Sequence, residues 1–461
     1  MHSMGQVETG GIQSLLSASS TQPVYLIAVQ VEGGQAFSDE FYKKLLTPLL
    51  AGSDYTLARL TAETTTSYHH LLDTGVFDEV KVRVQPDYYS TAPSVKSYNH
   101  EKSIPAKVTF DVSPTPLNTS QGFLKFDAED FLNLQLNHVD SNFNGNGEVV
   151  SVGVDYNPYK PHDHLLSQFK FASSLKDPRF KVVLDGGYNT KDNHAWSDFQ
   201  ENELGGKIGI QYKAPGPWSV FAGLSLFKRN LYDIDDSASD NLKFFGGQFL
   251  KSSVAGRVCY KNVSCLGKVF PTDGIEVEAD AELSSVQEQA NPSNSGEFAK
   301  SKVRLGLYKS FLNITTSFTG EVGGIYNFNS KFPVHTLDKF YLGGHSSFVG
   351  FKQNSVEPSG GLSFYKLQAT MLTKVPRLFY APPHNVEPTS PLRLYCTALL
   401  GNVDSKFSLT DSTAALSYGA GLKYFNQWAN FDLGYYFSKR SGGDESAGVQ
   451  FSISIGACNH R

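Results

Sequence analysis

The side chains in this sequence best equipped to bind a metal or activate a nucleophile fall in two short clusters, Tyr68-His69-His70 and Pro161-His162-Asp163-His164. Two imidazoles flanking a carboxylate are a workable start for a metal site, but no further ligand lies nearby, so the spacing favours solvated turn residues. His69 and His70 fall on a predicted helix, where adjacent residues do not share a face. The four cysteines, Cys259, Cys265, Cys396 and Cys458, form no C-x-x-C pair and no zinc-type spacing with histidine. Free thiols are expected, with a Cys259–Cys265 pair in a loop as the alternative. Gly419-Ala420-Gly421 lacks a phosphate-loop context. These residues point to no catalytic group, no metal and no cofactor, which leaves recognition as the chemistry to explain.

The composition narrows the class further. Of 461 residues, 40% are hydrophobic and only 18% charged, and 41 Gly, 33 Phe and 23 Tyr against 3 Met suit extended β structure. A formal net charge of −5 provides no basic face for a phosphate backbone, so nucleic acid is not an expected partner. No stretch approaches the ~20 apolar residues of a membrane-spanning helix. The first 22 residues, rich in Ser, Gly and Gln with Glu8 and without Lys or Arg, match neither a secretory signal nor a transit peptide. Synthesis in the cytosol without cleavage is therefore expected, and the Asn-x-Ser/Thr sites at Asn118, Asn262 and Asn313 would matter only in a secreted protein.

Two regions differ in their hydrophobic period. After a flexible segment over 1–22, residues 23–114 mix helix and strand. Tyr25, Ile27, Val29 and Val31 alternate in a strand closed by Gly33. Ser38 is a candidate N-cap ahead of Phe41, Leu45, Leu46 and Leu49, and a second helix carries Leu57, Leu60, Tyr68, Leu71 and Leu72 before stopping at Gly75. Strand periodicity returns with Phe77, Val80, Val82 and Val84, and again with Val108, Phe110 and Val112, giving the order β-α-α-β-β.

From 115 to 461 period 2 dominates. Examples are Val150, Val152, Val154 and Tyr156; Phe180, Val182, Leu184 and Tyr188; Trp218, Val220, Leu224 and Leu226; Val303, Leu305 and Leu307; and Phe431, Leu433, Tyr435 and Phe437. Turn signals separate them, including Asn144-Gly145-Asn146-Gly147, Pro215-Gly216-Pro217, Pro271-Thr272-Asp273-Gly274 and Ser441-Gly442-Gly443-Asp444. Apolar residues on one face and Ser, Gly, Asp, Lys or Gln on the other suit a transmembrane antiparallel β-barrel, lipid outside and water within. At roughly 20 residues per strand and connection, about 16 strands fit. The fold expected is mostly β: this barrel preceded by one small α/β domain.

Two stretches are more specific. The helix end Asp73-Thr74-Gly75-Val76-Phe77-Asp78-Glu79-Val80, within that β-α-α-β-β unit, resembles a POTRA domain, the polypeptide-transport-associated module of outer-membrane assembly proteins. The stretch Leu337 to Phe351, with Gly343, Gly344, Phe348, Val349, Gly350 and Phe351, is similar to the "GG, then R-G-F or R-G-Y" signature in the sixth loop of the POTRA-bearing outer-membrane assembly superfamily. In that family the loop folds into the lumen and its arginine contacts acids on the inner wall. Here Val349 stands at the arginine position, and neighbouring Lys352 is the expected substitute. Near the C-terminus, Ser446, Gly448, Phe451 and Ile453, continued by Ile455, resemble the β-signal of mitochondrial barrel proteins, with Val449, Phe451, Ile453 and Ile455 outward and Gln450, Ser452 and Ser454 inward.

Together these resemble the central barrel subunits of the mitochondrial sorting and assembly machinery. The resemblance implies a lateral gate between first and last strands that pairs with the β-signal of an unfolded β-barrel precursor and releases it into the lipid bilayer. It also implies accessory subunits as partners, residence in the mitochondrial outer membrane, a POTRA domain in the intermembrane space, and no covalent chemistry. The alternatives are a polypeptide-translocating barrel of the same superfamily, from a plastid envelope or a bacterium, and a metabolite channel, which would leave the N-terminal domain without a task. A soluble β-rich enzyme is the remaining class.

Overall fold

The computed structural model describes residues 19–89, 103–127, 132–161, 163–266, 270–312, 314–375, 392–405, 414–426, 429–440 and 445–460. His162, Asn313 and the Ser441–Asp444 turn signal fall outside the described residues.

The N-terminal part comprises β1 (Pro23–Glu32), α1 (Asp39–Leu45), α2 (Thr47–Leu50), β2 (Asp54–Thr56), α3 (Leu57–Thr74), β3 (Phe77–Pro86) and β4 (Ile104–Pro114). Its sheet runs β2-β1-β4-β3, with β1 and β4 parallel. Ser38 caps α1 by accepting the Phe41 N–H at 3.2 Å, and α3 ends at Gly75 in the left-handed conformation. Val108, Phe110 and Val112 of β4 form the floor on which Leu45, Leu49, Leu60 and Leu71 bury.

Two details differ from the sequence expectation. The edge strand β2 and the single-turn α2 extend the β-α-α-β-β order, being too short to leave a period. In β1, the residues packed in the core are Val24, Leu26, Val29 and Val31. The pairing with β4 skips one residue between Leu26 and Ala28, and that irregularity switches the face of everything after it.

The barrel follows as β5 (Asn118–Asp127), β6 (Asn133–Phe143), β7 (Glu148–Tyr156), β8 (His164–Ser174), β9 (Phe180–Asp192), β10 (Gln200–Lys213), β11 (Trp218–Tyr232), β12 (Gly247–Leu266), β13 (Phe270–Glu288), β14 (Ser295–Phe311), β15 (Ile314–Asn327), β16 (Ser363–Lys374), β17 (Leu392–Asp404), β18 (Ala415–Phe425), β19 (Ala429–Arg440) and β20 (Glu445–His460). These 16 strands close into one ring in which each pairs antiparallel with its sequence neighbours and β20 pairs with β5. Closure satisfies the backbone polar groups that hydrocarbon cannot. A short helix, α4 (Asp240–Phe244), sits in the β11–β12 connection. Cys259 and Cys265 both lie on β12 as free thiols, six residues apart along an extended chain and so out of disulfide reach.

The N-terminal domain rests on the turns beside the first barrel strands. Ser38 N–H donates to Gly145 O (2.8 Å), Ser38 Oγ to Asn146 Oδ1 (2.7 Å), and Asn142 Nδ2 to Ala36 O (2.7 Å). Lys181 Nζ meets the last carbonyls of α3 at Thr74 O (2.9 Å), where the helix dipole favours a cation. Gly147 lies so close to the Phe41 ring that a Cβ there would come within 2.5 Å of it, which accounts for one glycine of the Asn-Gly-Asn-Gly turn.

Candidate functional site: the sixth loop and the barrel seam

Alternation places large apolar side chains on the outside. On β11, Trp218, Val220, Leu224 and Leu226 are exposed, as are Val303, Leu305 and Leu307 on β14 and Tyr435 and Phe437 on β19. The apolar band narrows beside the junction of first and last strands. On β6 the outward face reads Leu134, Leu136, His138 and Asp140, with exposed His138 bonded to Ser120 of β5 (2.8 Å). Two outward apolar positions span about 7 Å of strand, whereas Trp218, Val220, Ala222, Leu224 and Leu226 on β11 span about 27 Å. Strand length follows the same trend: β5 to β8 have 9–11 residues and β12 to β14 have 17–20.

The inner wall opposite that junction is laced with ion pairs. Arg257 of β12 bonds Asp280 (2.6 Å) and Glu278 (3.3 Å) of β13, and Lys251 bonds Glu282 (2.8 Å). Glu321 of β15 is held by Lys302 of β14 and Lys366 of β16, both at 2.9 Å. Alternating cation and acid strands hold one another in register and stiffen this side.

The β15–β16 connection, residues 328–362, is the sixth loop at the end away from the N-terminal domain, and it turns into the barrel. Its base is a 3-10 turn, Thr336–Asp338, capped by His335 Nδ1, which accepts the Leu337 N–H at 3.2 Å. His335 is buried among Phe245 and Phe249, and this burial, with Arg229 nearby, pushes its imidazole down to about 3. Asp338 is 2% exposed; Arg229 Nη1 donates to it at 2.7 Å, Lys251 Nζ at 2.6 Å, and Lys300 Nζ reaches its carbonyl at 2.7 Å. Burial opposes its ionisation, but the Arg229 and Lys251 charges outweigh that and hold its carboxyl well below the usual carboxylate range.

Beyond the base, Phe340 bridges Gly361, and Phe348 is fully buried in an apolar cluster with Leu342, Val356, Phe364, Leu399 and Val403. Gly343, at φ 133°, runs so close to the following chain that a Cβ would meet Lys352 O at 2.3 Å. Gly350, at φ 94°, lies on the wall of β18 and β19, where a Cβ would come within 2.3 Å of Ser417 Oγ. The tip then meets the last strand: Gly350 N–H donates to Gln450 Oε1 (2.9 Å) and Gln450 Nε2 donates to Phe351 O (3.1 Å). A cavity of about 510 Å³ lies beneath the tip, lined in part by Val349, Glu321, Lys366, Asp432 and Tyr436.

The loop residues singled out in the sequence therefore converge on one lumenal element. Val349 packs beside the Phe348 cluster. The expected substitution by Lys352 does not occur: that side chain is exposed, and the wall acid Glu321 already has wall cations as partners. The ionic contact is instead reversed in polarity, with the loop supplying the acid, Asp338, and the wall supplying Arg229 and Lys251. Asp338 lay in the marked stretch without a role, and Arg229 and Lys251 were not marked, although single charges at inward positions of apolar-alternating strands were the available signal for those two.

At the seam, β20 pairs with β5 from Ser452↔Asp127 to His460↔Thr119. Among the described residues, 445–451 of β20 pair with β19 alone. Ser446, Gly448 and Phe451 lie in that half; Ile453 and Ile455 lie in the paired half, opposite Phe126 and Leu124. The last strand thus joins the short-stranded side of the barrel and touches the loop tip from inside.

Residues 142–456 match the Omp85 superfamily domain. The chain belongs to the Omp85 superfamily. It is 23% identical over 441 residues to a "SAM50-like protein" of Schizosaccharomyces pombe, covering 92% of this chain and 88% of the relative. The fold is similar to that of BamA from Haemophilus ducreyi lacking POTRA domains 1–3, with a TM-score of 0.70 at 12% identity over 95% of this chain and 85% of that one. It is also similar to CdiB from Acinetobacter baumannii, with a TM-score of 0.59 at 12% identity over 95% and 74%. In this Omp85 chain, the sixth loop and the β20–β5 seam are the two elements that the geometry brings together.

Proposed function

We propose that this Omp85 protein is an insertase that folds β-barrel precursors into the mitochondrial outer membrane, with the seam between β5 and β20 as its lateral gate. The observation that carries the reading is the stretch of β20 over 445–451, which among the described residues pairs with β19 alone, on the side of the barrel where β5 to β8 have only 9–11 residues. An incoming strand gains main-chain hydrogen bonds by adding to an edge, and in lipid an unpaired backbone group has no other partner. A thin apolar band next to the gate lowers the barrier for polar loops of the precursor to cross. Ser446, Gly448, Phe451, Ile453 and Ile455 are the β20 residues assigned to the gate, and Gly343, Gly344, Phe348, Val349, Gly350 and Phe351 the loop residues assigned to its control. The N-terminal unit over 23–114 acts as a POTRA domain in the intermembrane space, where β3, an edge of the β2-β1-β4-β3 sheet among the described residues, can receive a strand. Precursors, accessory subunits and lipid are its partners, and the work involves no covalent chemistry.

The SAM50-like name of the fission-yeast relative supports the mitochondrial assignment. The test is disulfide crosslinking in isolated outer membranes between a cysteine near Leu124 on β5 and one in the β-signal of an arriving precursor. A register-specific crosslink that forms during import and disappears on release is the expected result. Its absence with ion conductance intact would point to a channel or a translocation pore.

A further inference from the structure

We propose that Gln450 is a latch through which the sixth loop holds the gate strand, so that displacement of β20 and release of the loop are one event. This deepens the insertase reading and rests on it for its role, though not for its existence.

The Gln450 side chain treats the loop as a strand would treat a strand. Its carbonyl accepts from Gly350 N–H and its amide donates to Phe351 O, at 2.9 and 3.1 Å. Gln and protonated Glu offer an acceptor and a donor at this length, so the pairing selects one side-chain chemistry. Gly350 permits the approach, because any Cβ at that point would run into Ser417. Gln450 itself sits opposite Gly434 on β19, two residues before Ser452, where the pairing with β5 begins among the described residues. At its other end the loop is fastened to β11 and β12 through Asp338, Arg229 and Lys251. The loop is thus a strap from the ion-paired wall to the gate strand; Lys366 and Arg440 hold it to β16 and β19 through Ser347 O (3.2 Å) and Glu357 (3.2 Å), and among the described residues its hydrogen bonds to β20 are the two from Gln450. A substrate strand that draws β20 outward breaks both together, while the Asp338 end stays fastened.

The test uses the full chain in lipid nanodiscs and compares wild type with Gln450→Met, which keeps the length and removes donor and acceptor. Amide exchange over residues 344–352 is read against residues 270–311 as internal reference. Loss of two hydrogen bonds is expected to raise loop-tip exchange about tenfold, with the reference segment unchanged. Gln450→Glu supplies the discriminating readout. Ionised, it sets a carboxylate against the Phe351 carbonyl and leaves the tip loose; protonated, it is a donor and acceptor like Gln, so protection returns on acidification. Equal loop exchange in wild type and Gln450→Met, with both variants folded, overturns the latch. The same result in a membrane where wild type inserts precursors leaves the insertase reading standing. Failure of wild type to insert precursors, with the tenfold change present, removes that reading and keeps the latch.

Discussion

Replacing Asp338 by Ala should undock the sixth loop without unfolding the barrel. The carboxylate is buried and accepts two charge-assisted hydrogen bonds, from Arg229 at 2.7 Å and Lys251 at 2.6 Å. Each such bond contributes roughly 1.5–3 kcal/mol. Stranding a buried charge would add more, toward ~3–5 kcal/mol in total. Here neither cation is stranded, because Arg229 keeps Glu203 and Lys251 keeps Glu282. The loss therefore falls near 3 kcal/mol, or about a 150-fold rise in the undocked population at 1.36 kcal/mol per decade. Asp338→Asn keeps weaker acceptors and should show about half that free energy. The assay is amide exchange over 336–352 in lipid nanodiscs, with heat-modifiable electrophoretic mobility as the check that the barrel remains closed. A double-mutant cycle of Asp338→Ala with Arg229→Met should give a coupling above about 1 kcal/mol. If exchange rises less than about threefold in a closed barrel, the reversed-polarity anchor does not hold the loop.

Three further outcomes follow from the same geometry. Docking of the loop should weaken on acidification: His335 titrates near 3 when docked but near 6.5 when free, so its contribution is whole above pH 6.5 and is lost as pH falls toward 3. Loop exchange measured between pH 7 and 4 should show this decline in wild type and not in His335→Phe, whereas a flat wild-type profile would contradict the buried neutral imidazole. Gly350→Ala should expel the loop tip, since it combines φ 94° with a 2.3 Å approach to Ser417; limited proteolysis in the loop would report it, and unchanged resistance would count against the tip position. Ser38→Ala removes the α1 cap and the Asn146 bond, and should destabilise the N-terminal domain by about 1–2 kcal/mol and loosen its seat on the barrel, read as faster exchange over 36–45.

Much of the molecule was legible because a barrel wall repeats. Every second residue meets lipid, so period 2 over 340-odd positions predicts the strands, their faces and, by length, their number. Ser38 and Gly75 announce helix ends through local chemistry that needs no partner. The glycines of the sixth loop were visible as types, and positive φ at Gly343, Gly344 and Gly350 explains why that type is required. By contrast, the irregularity in β1 was invisible, because period counting assumes that no residue is skipped in the pairing. The loop anchor was hidden for a different reason. Arg229, Lys251 and Asp338 are separated by up to 109 positions and come together only when β11, β12 and the inturned loop share one side of the lumen. The same holds for Gln450 and Gly350, 100 positions apart, and for the pairing of β20 with β5, which joins strands from the two ends of the barrel. The sequence by itself determined that a small α/β region precedes a barrel of about 16 strands and which residues alternate between the two faces of its wall, since each follows from neighbours along the chain. Only the tertiary structure decided which charge holds that loop and which strand it touches, because barrel closure and the inward fold of the loop make contacts that no local period encodes.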